Sequence, residues 1–291
     1  MKLSMSIKQI VRKFGGKVLY FLKCLKWYCF FIWSRLCPRK TNYRKWEDWD
    51  QGSRFLLIAP HADDELLSSY TLLKKCSNLT VYYCGFTGTN SKIDNRNTRR
   101  HEIESLCHFM GIPFIDGGGS CLNLEEAIKR HDVIVLPSIV DWHQEHRKVS
   151  YLLMDLLRKL DTPPCIYSYS VTVPNESCEV VLANSMNREQ VNEKYSLFNT
   201  FYKSQRFMPI FRFKINDRIN GYHINEYAAE TFLYHPFEKW ISETKTVLES
   251  ESNADTQLIR LIHDVSFTGE MRHVRRASRA FQSFVDSVEI G

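Results

Sequence analysis

The sequence predicts an α/β protein with a doubly wound, mostly parallel β-sheet and helices on both faces of the sheet. Two observations carry this prediction: short apolar runs recur along the chain, and segments with helical periodicity separate them. The chain has 291 residues, of which 44% are hydrophobic and 25% charged, a composition typical of globular proteins that excludes wholesale disorder. Its nine cysteines form no C-x-x-C pair, which argues against a zinc ribbon or a disulfide framework.

Five short segments predict the strands, because each is an apolar run or alternates as a half-buried strand does. They lie at 54–59, 79–86, 112–115, 132–136 and 165–173. Helical patterns separate them at 65–76, 96–110 and 149–160, with a short helix starting at Asn123. We expect Gly111 to end the second of these helices, and Asn123 with Glu126 to cap the short one. This alternation is typical of a Rossmann-like fold; beyond residue 180 we expect a long helix over 188–205, a hairpin-like region and further helices.

Charge sets the N-terminal segment apart from the rest of the chain. Residues 1–46 contain twelve Lys and Arg and no Asp or Glu, whereas the other 245 residues contain 27 basic and 33 acidic ones. We therefore predict a basic, aromatic-rich N-terminal arm over 1–50, a central α/β domain over 51–250 and a C-terminal helical extension over 251–291. The extension includes a basic helix near 272–279.

The N-terminal arm has two interpretations that the sequence leaves open. Lys23 and Lys26 interrupt its apolar run, which is shorter than the roughly 18–20 residues that span a bilayer. Basic residues around a Trp/Phe/Tyr-rich stretch favour an anionic membrane surface as a partner of residues 1–45. Alternatively, the arm is an amphipathic helix that packs on the domain's own core or on another protein. We expect no nucleic-acid partner, because clustered aromatics suit lipid better than bases, and a cytoplasmic location, with or without attachment to the inner membrane face.

Two motifs carry the chemistry. His61-Ala62-Asp63-Asp64-Glu65 follows the first strand, and His143-Gln144-Glu145-His146 follows the fourth. In a sheet of order 3-2-1-4-5 these strands are neighbours, and ligands bind outside their carboxyl ends. Imidazoles and carboxylates are ligands that zinc takes, and of two adjacent aspartates one can bind the metal while the other accepts a proton. The acids alone could cap a helix N-terminus, but that interpretation does not explain the histidines.

These motifs resemble those of the PIG-L/LmbE-like zinc de-N-acetylases, and three further segments extend the resemblance. The three segments are Arg99-Arg100-His101-Glu102 with Gly111, Lys194 with Tyr202-Lys203-Ser204-Gln205, and Ala229-Glu230-Thr231-Phe232. The five matches occur in the family's order over residues 54–233. Ala62 and Gln144 stand where the family usually has prolines, and the loop at 87–90 lacks the family's acidic pattern.

The resemblance implies a metal site and a base. His61, Asp64 and His146 correspond to the three metal ligands, with zinc as the expected ion and another divalent metal as the alternative. Asp63 corresponds to the general base that deprotonates the attacking water.

The resemblance also assigns roles in the second motif. His143 corresponds to the residue that stabilises the oxyanion and helps to protonate the leaving amine. Glu145 is expected to hold the ring of His143 through its second nitrogen.

The implied activity is hydrolysis of the N-acetyl group of an N-acetylglucosamine-type amino sugar in a glycan, glycolipid or glycoconjugate. The alternative is a catalytically silent glycan- or lipid-binding protein on the same fold. The presence of both Asp63 and Asp64 favours the enzyme, since a binding protein needs no free base beside its metal.

Overall fold

The computed structural model describes residues 42–46, 52–86, 96–141, 143–171, 181–206, 208 and 210–252, together with helical residues between 18 and 36. Within these ranges, eight strands form one sheet. They are β1 (Tyr43–Lys45), β2 (Phe55–Ala59), β3 (Leu79–Tyr83), β4 (Phe114–Asp116), β5 (Val133–Pro137), β6 (Cys165–Tyr169), β7 (Val181–Met186) and β8 (Ala228–His235).

The helices alternate with these strands along most of the chain. The helical residues between 18 and 36 are called α1. The others are α2 (Asp64–Lys75), α3 (Arg96–Met110), α4 (Leu124–Lys129), α5 (Gln144–Leu157), α6 (Arg188–Phe201), α7 (Ile210–His223) and α8 (Phe237–Ser252), with a 3₁₀ turn at Lys203–Gln205.

The sheet has the order β1-β7-β8-β6-β5-β2-β3-β4. The five predicted strands pair in parallel as β4-β3-β2-β5-β6, which confirms the predicted order 3-2-1-4-5. The edge beyond β6 is different, because β8 runs antiparallel to both β6 and β7. Only β1, at the far edge, is again parallel to its neighbour β7.

Helices cover both faces of this sheet, as the sequence predicts. Successive side chains of a strand point to opposite faces, and β2 shows the consequence. Leu56 and Ile58 pack in a core formed with α4, α5 and α8, whereas Phe55, Leu57 and Ala59 pack in a core formed with α2, α3, α6 and α7. All five side chains are buried.

One predicted helix start and one predicted helix cap differ from the structure. Helix α5 begins at Gln144, not at residue 149, because its first turn is polar and carries no apolar periodicity. The H-x-x-H motif therefore lies in the first turn of a helix. Asn123 precedes α4 in a left-handed conformation and its side chain makes no capping bond, so the predicted cap is not formed. Gly111, with φ +70, follows the last residue of α3 as predicted.

Helix α7 occupies much of the region expected to be hairpin-like. Its apolar residues partly alternate, which resembles a strand, but the helix is packed between β8 and α1 and needs apolar side chains on both sides. Gly221 permits the close approach to β8, since a Cβ there would lie 2.4 Å from the Cα of Ala228. The loop at 87–90 and the basic segment near 272–279 lie outside the described residues.

Part of the N-terminal arm packs on the domain. Phe31 of α1 is buried against Ile215 and Ile219 of α7, and β1 pairs with β7. This contact agrees with the interpretation in which the arm packs on the domain's own core. Among the described residues, no helix combines the length and apolarity needed to cross a bilayer.

A buried ion network joins α6, α7 and β8. The Nζ of Lys194, which is fully buried, lies 2.9 Å from Asp217 and 2.8 Å from Glu230. The hydroxyl of Tyr195 also donates to Asp217. Because a buried charge must be paired, these contacts hold α6, α7 and β8 together.

Glu230 has a second function in the helix that follows β2. Ser69 has non-helical backbone angles, which interrupts the hydrogen bonds of α2. Glu230 accepts the freed amide protons of Tyr70 and Thr71 at 2.9 and 2.8 Å. The carboxylate thus caps the second half of a kinked helix whose first half carries Asp64.

We predict that Lys194→Met lowers the free energy of unfolding by about 3–5 kcal/mol, because it leaves two buried carboxylates without their cation. Urea denaturation at neutral pH measures this loss. The matched control is Lys74→Met, which removes a lysine paired with Glu193 at the surface and should cost less than about 1 kcal/mol. Equal losses in the two variants would contradict the role of the buried network.

Candidate active site

The two predicted motifs meet at the carboxyl edge of the sheet. β2 and β5 are parallel neighbours, with Phe55 opposite Val133. The chain leaves them at Ala59 and Pro137, so the residues that follow both strands lie at the same edge, as in other doubly wound sheets.

Three ligand-type atoms form a small triangle at this edge. Nδ1 of His61 lies 3.2 Å from Oδ2 of Asp64 and 3.1 Å from Nε2 of His146. The Asp64 and His146 atoms are themselves 3.2 Å apart. All three side chains are buried. Atoms that each lie about 2.0–2.2 Å from one zinc ion have a comparable mutual spacing.

A carboxylate lies on the outer side of each of the two rings. Nε2 of His61 donates to Glu145 at 2.7 Å, and Nδ1 of His146 lies 3.2 Å from Oδ2 of Asp141. A ring protonated on its outer nitrogen presents a lone pair from the other nitrogen. Two lone pairs and a carboxylate oxygen repel one another unless a cation lies between them. This donor set therefore fits a divalent metal ion such as zinc.

The electrostatics keep Asp64 ionised. Burial alone would raise the pKa of Asp64, but His146 and His61 hold it well below its usual value. The backbone N–H of His61 also donates to Oδ2 of Asp64 at 2.9 Å. An ionised carboxylate is the form that binds a metal.

Asp63 lies outside the triangle and differs from Asp64 in conformation and charge. Its backbone has φ 128 and ψ −23, a region that costs a non-glycine residue about 1–3 kcal/mol. Burial raises the pKa of Asp63 to about 7, although Arg99 opposes the shift. The Nη2 of Arg99 lies 3.5 Å from Oδ1 of Asp63. A carboxylate with a pKa near neutrality is suited to exchange protons there.

The helical motifs of the resemblance surround this pair of aspartates. Tyr202 donates a hydrogen bond to the buried Glu65, which also accepts the backbone N–H of Asp63. Burial raises the pKa of Glu65 to about 8. Glu102 of α3 accepts both the N–H and the hydroxyl of Ser204. Residues far apart in sequence thus fix the loop between β2 and α2.

Asp141 is a site residue that the sequence reasoning missed. It is buried, accepts the backbone N–H of His143 at 2.8 Å through Oδ1, and lies behind the ring of His146 through Oδ2. A carboxylate behind a histidine is typical of metal-ligating histidines. Its position two residues before His143, after an apolar strand, is the sequence signal that could have identified it.

Glu145 does not make the predicted contact with His143. Its carboxylate binds His61 instead, and Nδ1 of His143 is buried with no hydrogen-bond partner in the described part of the chain. The reason is that α5 begins at Gln144, so Glu145 lies in its first turn and reaches across to the β2 loop. The ring of His143 still lies beside the site, since one nitrogen from each of His61, His143 and His146 lies within 4.8 Å of the other two, a spacing at which these three rings could also hold a metal ion.

The environment of His143 favours its neutral form. Burial and the neighbouring histidines lower its pKa to about 4. A neutral imidazole at neutral pH donates a hydrogen bond from one nitrogen and accepts one at the other. This is the state in which the ring can bind a developing oxyanion.

The comparisons with known proteins identify the fold. No protein-family model matches the chain, and no curated protein matches its sequence. Similar solved structures include the zinc-inhibited form of teicoplanin deacetylase Orf2, with 12% identity, a TM-score of 0.51, and coverage of 63% of this chain and 99% of that chain. A deacetylase in complex with teicoplanin has 14% identity, a TM-score of 0.51, and coverage of 62% and 98%. A deacetylase triple mutant of the teicoplanin pathway has 15% identity, a TM-score of 0.50, and coverage of 63% and 99%.

The chain therefore has the fold of the LmbE/PIG-L-type deacetylases, as the sequence motifs predict. It spans nearly the full length of these structures, which cover about two thirds of it.

We predict that Tyr202→Phe lowers the free energy of unfolding by about 1–3 kcal/mol, because it leaves a buried oxygen of Glu65 without its donor. Chemical denaturation measures the change. The control is Tyr234→Phe. The side chain of Tyr234 is exposed on β8, so this variant should unfold with nearly the same free energy as the parent. An unchanged free energy of unfolding in Tyr202→Phe would contradict a role of this hydrogen bond in holding the loop.

Proposed function

We propose that this chain is a metal-dependent amidohydrolase that removes the N-acetyl group from an N-acetylglucosamine-type amino sugar in a glycan, glycolipid or glycoconjugate. The observation that carries the proposal is the triangle of His61, Asp64 and His146 beside the strained, separately held Asp63. The deacetylase fold and the five sequence matches support the same reaction class.

His61, Asp64 and His146 would hold the metal, for which zinc is the first choice because of its preference for nitrogen and carboxylate ligands. When bound, such an ion polarises the acetyl carbonyl and makes water more acidic. Glu145 and Asp141 keep the two ligand rings in the tautomers that this role requires.

Asp63 acts as the general base. Its carboxylate accepts a proton from the attacking water while Arg99 holds Oδ1 from the α3 side. The carboxylate of Asp63 pairs with Arg99, whereas that of Asp64 contacts His61 and His146, so the proton acceptor and the ligand remain distinct although they are adjacent. General-base catalysis of this kind contributes roughly 10²–10⁴-fold to a rate.

His143 serves the later part of the reaction. As water adds to the acetyl carbon, negative charge develops on the carbonyl oxygen, and the His143 ring stabilises this charge by a hydrogen bond. The carbon–nitrogen bond then breaks, and the proton taken from water passes to the departing nitrogen. The products are acetate and the free amino sugar.

The decisive experiment is acetate release from N-acetylglucosamine conjugates by the purified chain, with and without a chelator. Release that the chelator abolishes and added zinc restores is the expected result. Specific binding of the conjugates without any acetate release would instead favour the silent glycan-binding alternative.

We predict that the purified chain carries one divalent ion, and that His61→Ala and His146→Ala each lose it, because each removes one of three ligands. Metal analysis of the dialysed proteins measures the content. His101→Ala is the control, since this histidine is on the surface of α3 and should leave the metal in place. Full metal content in both site variants would overturn the ligand assignment.

We predict that Asp63→Asn keeps the metal but lowers kcat/KM by at least roughly 10²–10⁴-fold, because it removes only the proton acceptor. Asp64→Asn should lose metal affinity as well as activity. Metal analysis and acetate release are measured on the same preparations. Loss of metal from Asp63→Asn but not from Asp64→Asn would exchange the two roles.

A further inference from the structure

Helix α1 has one face, called the inner face, that contacts the domain. Trp27, Phe31 and Arg35 recur four residues apart, which places them along one side of the helix. Phe31 is only 8% exposed and packs against Ile215 and Ile219 of α7. The backbone carbonyl of Arg35 also accepts a hydrogen bond from Tyr222.

Cation–π contacts reinforce this attachment. The guanidinium group of Arg218 lies 5.3 Å from the ring centre of Phe31, and that of Arg212 lies 5.5 Å from Trp27. In the opposite direction, the guanidinium group of Arg35 lies 5.4 Å from the ring centre of Tyr222 on α7. Distances within about 6 Å are those of attractive cation–π pairs. The orientation of α1 on the domain is therefore set by specific contacts.

The other apolar face of α1 is exposed. Its residues recur at intervals of three and four, so they form one stripe along the helix. The exposed fractions of its large side chains range from 42% to 75%. The stripe, called the outer face, consists of Val18, Phe21, Leu22, Leu25, Tyr28, Ile32 and Leu36.

The charge of the same segment points to the occupant of the outer face. All twelve charged side chains of residues 1–46 are basic, whereas the rest of the chain carries a small excess of acidic residues. An apolar stripe within a purely basic segment is complementary to a surface that is both apolar and anionic, which is the interface of a bilayer with acidic lipids. A second copy of α1 would bring two basic segments together, so self-association is disfavoured by charge.

We propose that the outer face of α1 docks onto an anionic lipid surface while its inner face holds the catalytic domain. The helix then lies along the membrane interface with Phe21, Leu25 and Ile32 among the lipid chains. Arg212, which contacts the Trp27 ring, also interacts electrostatically with the buried Asp141 of the candidate site.

The test is flotation of the full-length chain with vesicles of phosphatidylcholine and phosphatidylglycerol. The outer-face variant is Phe21→Gln/Leu25→Gln/Ile32→Gln. The matched control is Phe109→Gln/Leu122→Gln/Tyr234→Gln, which removes three similarly exposed apolar side chains outside α1. Circular dichroism and thermal melting check that both variants fold as the parent does.

We expect the parent and the control to float with the vesicles, and the outer-face variant to bind at least roughly tenfold more weakly. Vesicles of phosphatidylcholine alone should bind the parent more weakly, because they offer no anionic lipid to its basic residues. The affinity should fall by about one order of magnitude for every one or two basic residues that lose this attraction. High salt should release only part of the parent from the anionic vesicles, since salt does not screen apolar burial.

Three outcomes would overturn the proposal. In the first, the parent does not float with the anionic vesicles; in the second, the outer-face variant floats as well as the parent. In the third, sedimentation velocity without lipid shows a dimer that the outer-face variant loses, which would assign the face to a second copy. None of these readouts involves acetate release, so failure here leaves the proposed deacetylase function untouched.

Discussion

The close approach of three electron-rich atoms at one sheet edge is the constraint on which the site depends. His61, Asp64 and His146 direct two ring nitrogens and a carboxylate oxygen to within 3.1–3.2 Å of one another. Such an arrangement is stable only with a cation or a proton at its centre. The carboxylates of Glu145 and Asp141 behind the rings favour the metal, because they attract the ring protons outward.

Much of the remaining polar core maintains that arrangement. Both aspartates lie at the start of α2, and the kink of this helix at Ser69 is stabilised by Glu230, which Lys194 neutralises. On the other side, Arg99 and the Glu65–Tyr202 pair hold the strained loop at Asp63. The motifs that lie far from His61, Asp64 and His146 in sequence thus support the loop between β2 and α2. Their cost is buried charge, which is offset where opposite charges are paired, as Lys194 is with Asp217 and Glu230.

The N-terminal helix α1 has one face on the domain and one face on the molecular surface. Its inner face is fixed by Phe31 and by arginines of α7, which leaves an apolar outer face on the surface. The two interpretations that the sequence left open for the arm are therefore compatible, since one helix has a face for each. One of those arginines, Arg212, also interacts with Asp141, so the arm and the candidate site share α7 as a common support.

The local and repetitive features could be predicted from the sequence alone. They are five parallel strands in the order 3-2-1-4-5, helix α3 with its end at Gly111, and the residues that gather at the edge after β2 and β5. These follow from apolar periodicity and from the geometry of parallel sheets. Tertiary structure decided which side chains touch. Glu145 contacts His61 because α5 starts earlier than its apolar pattern, Asp141 joins the site because a loop folds back onto His146, and α7 is a helix because both β8 and α1 need an apolar partner. Contacts between residues distant in sequence leave no period in the chain, and only the packed structure reveals them.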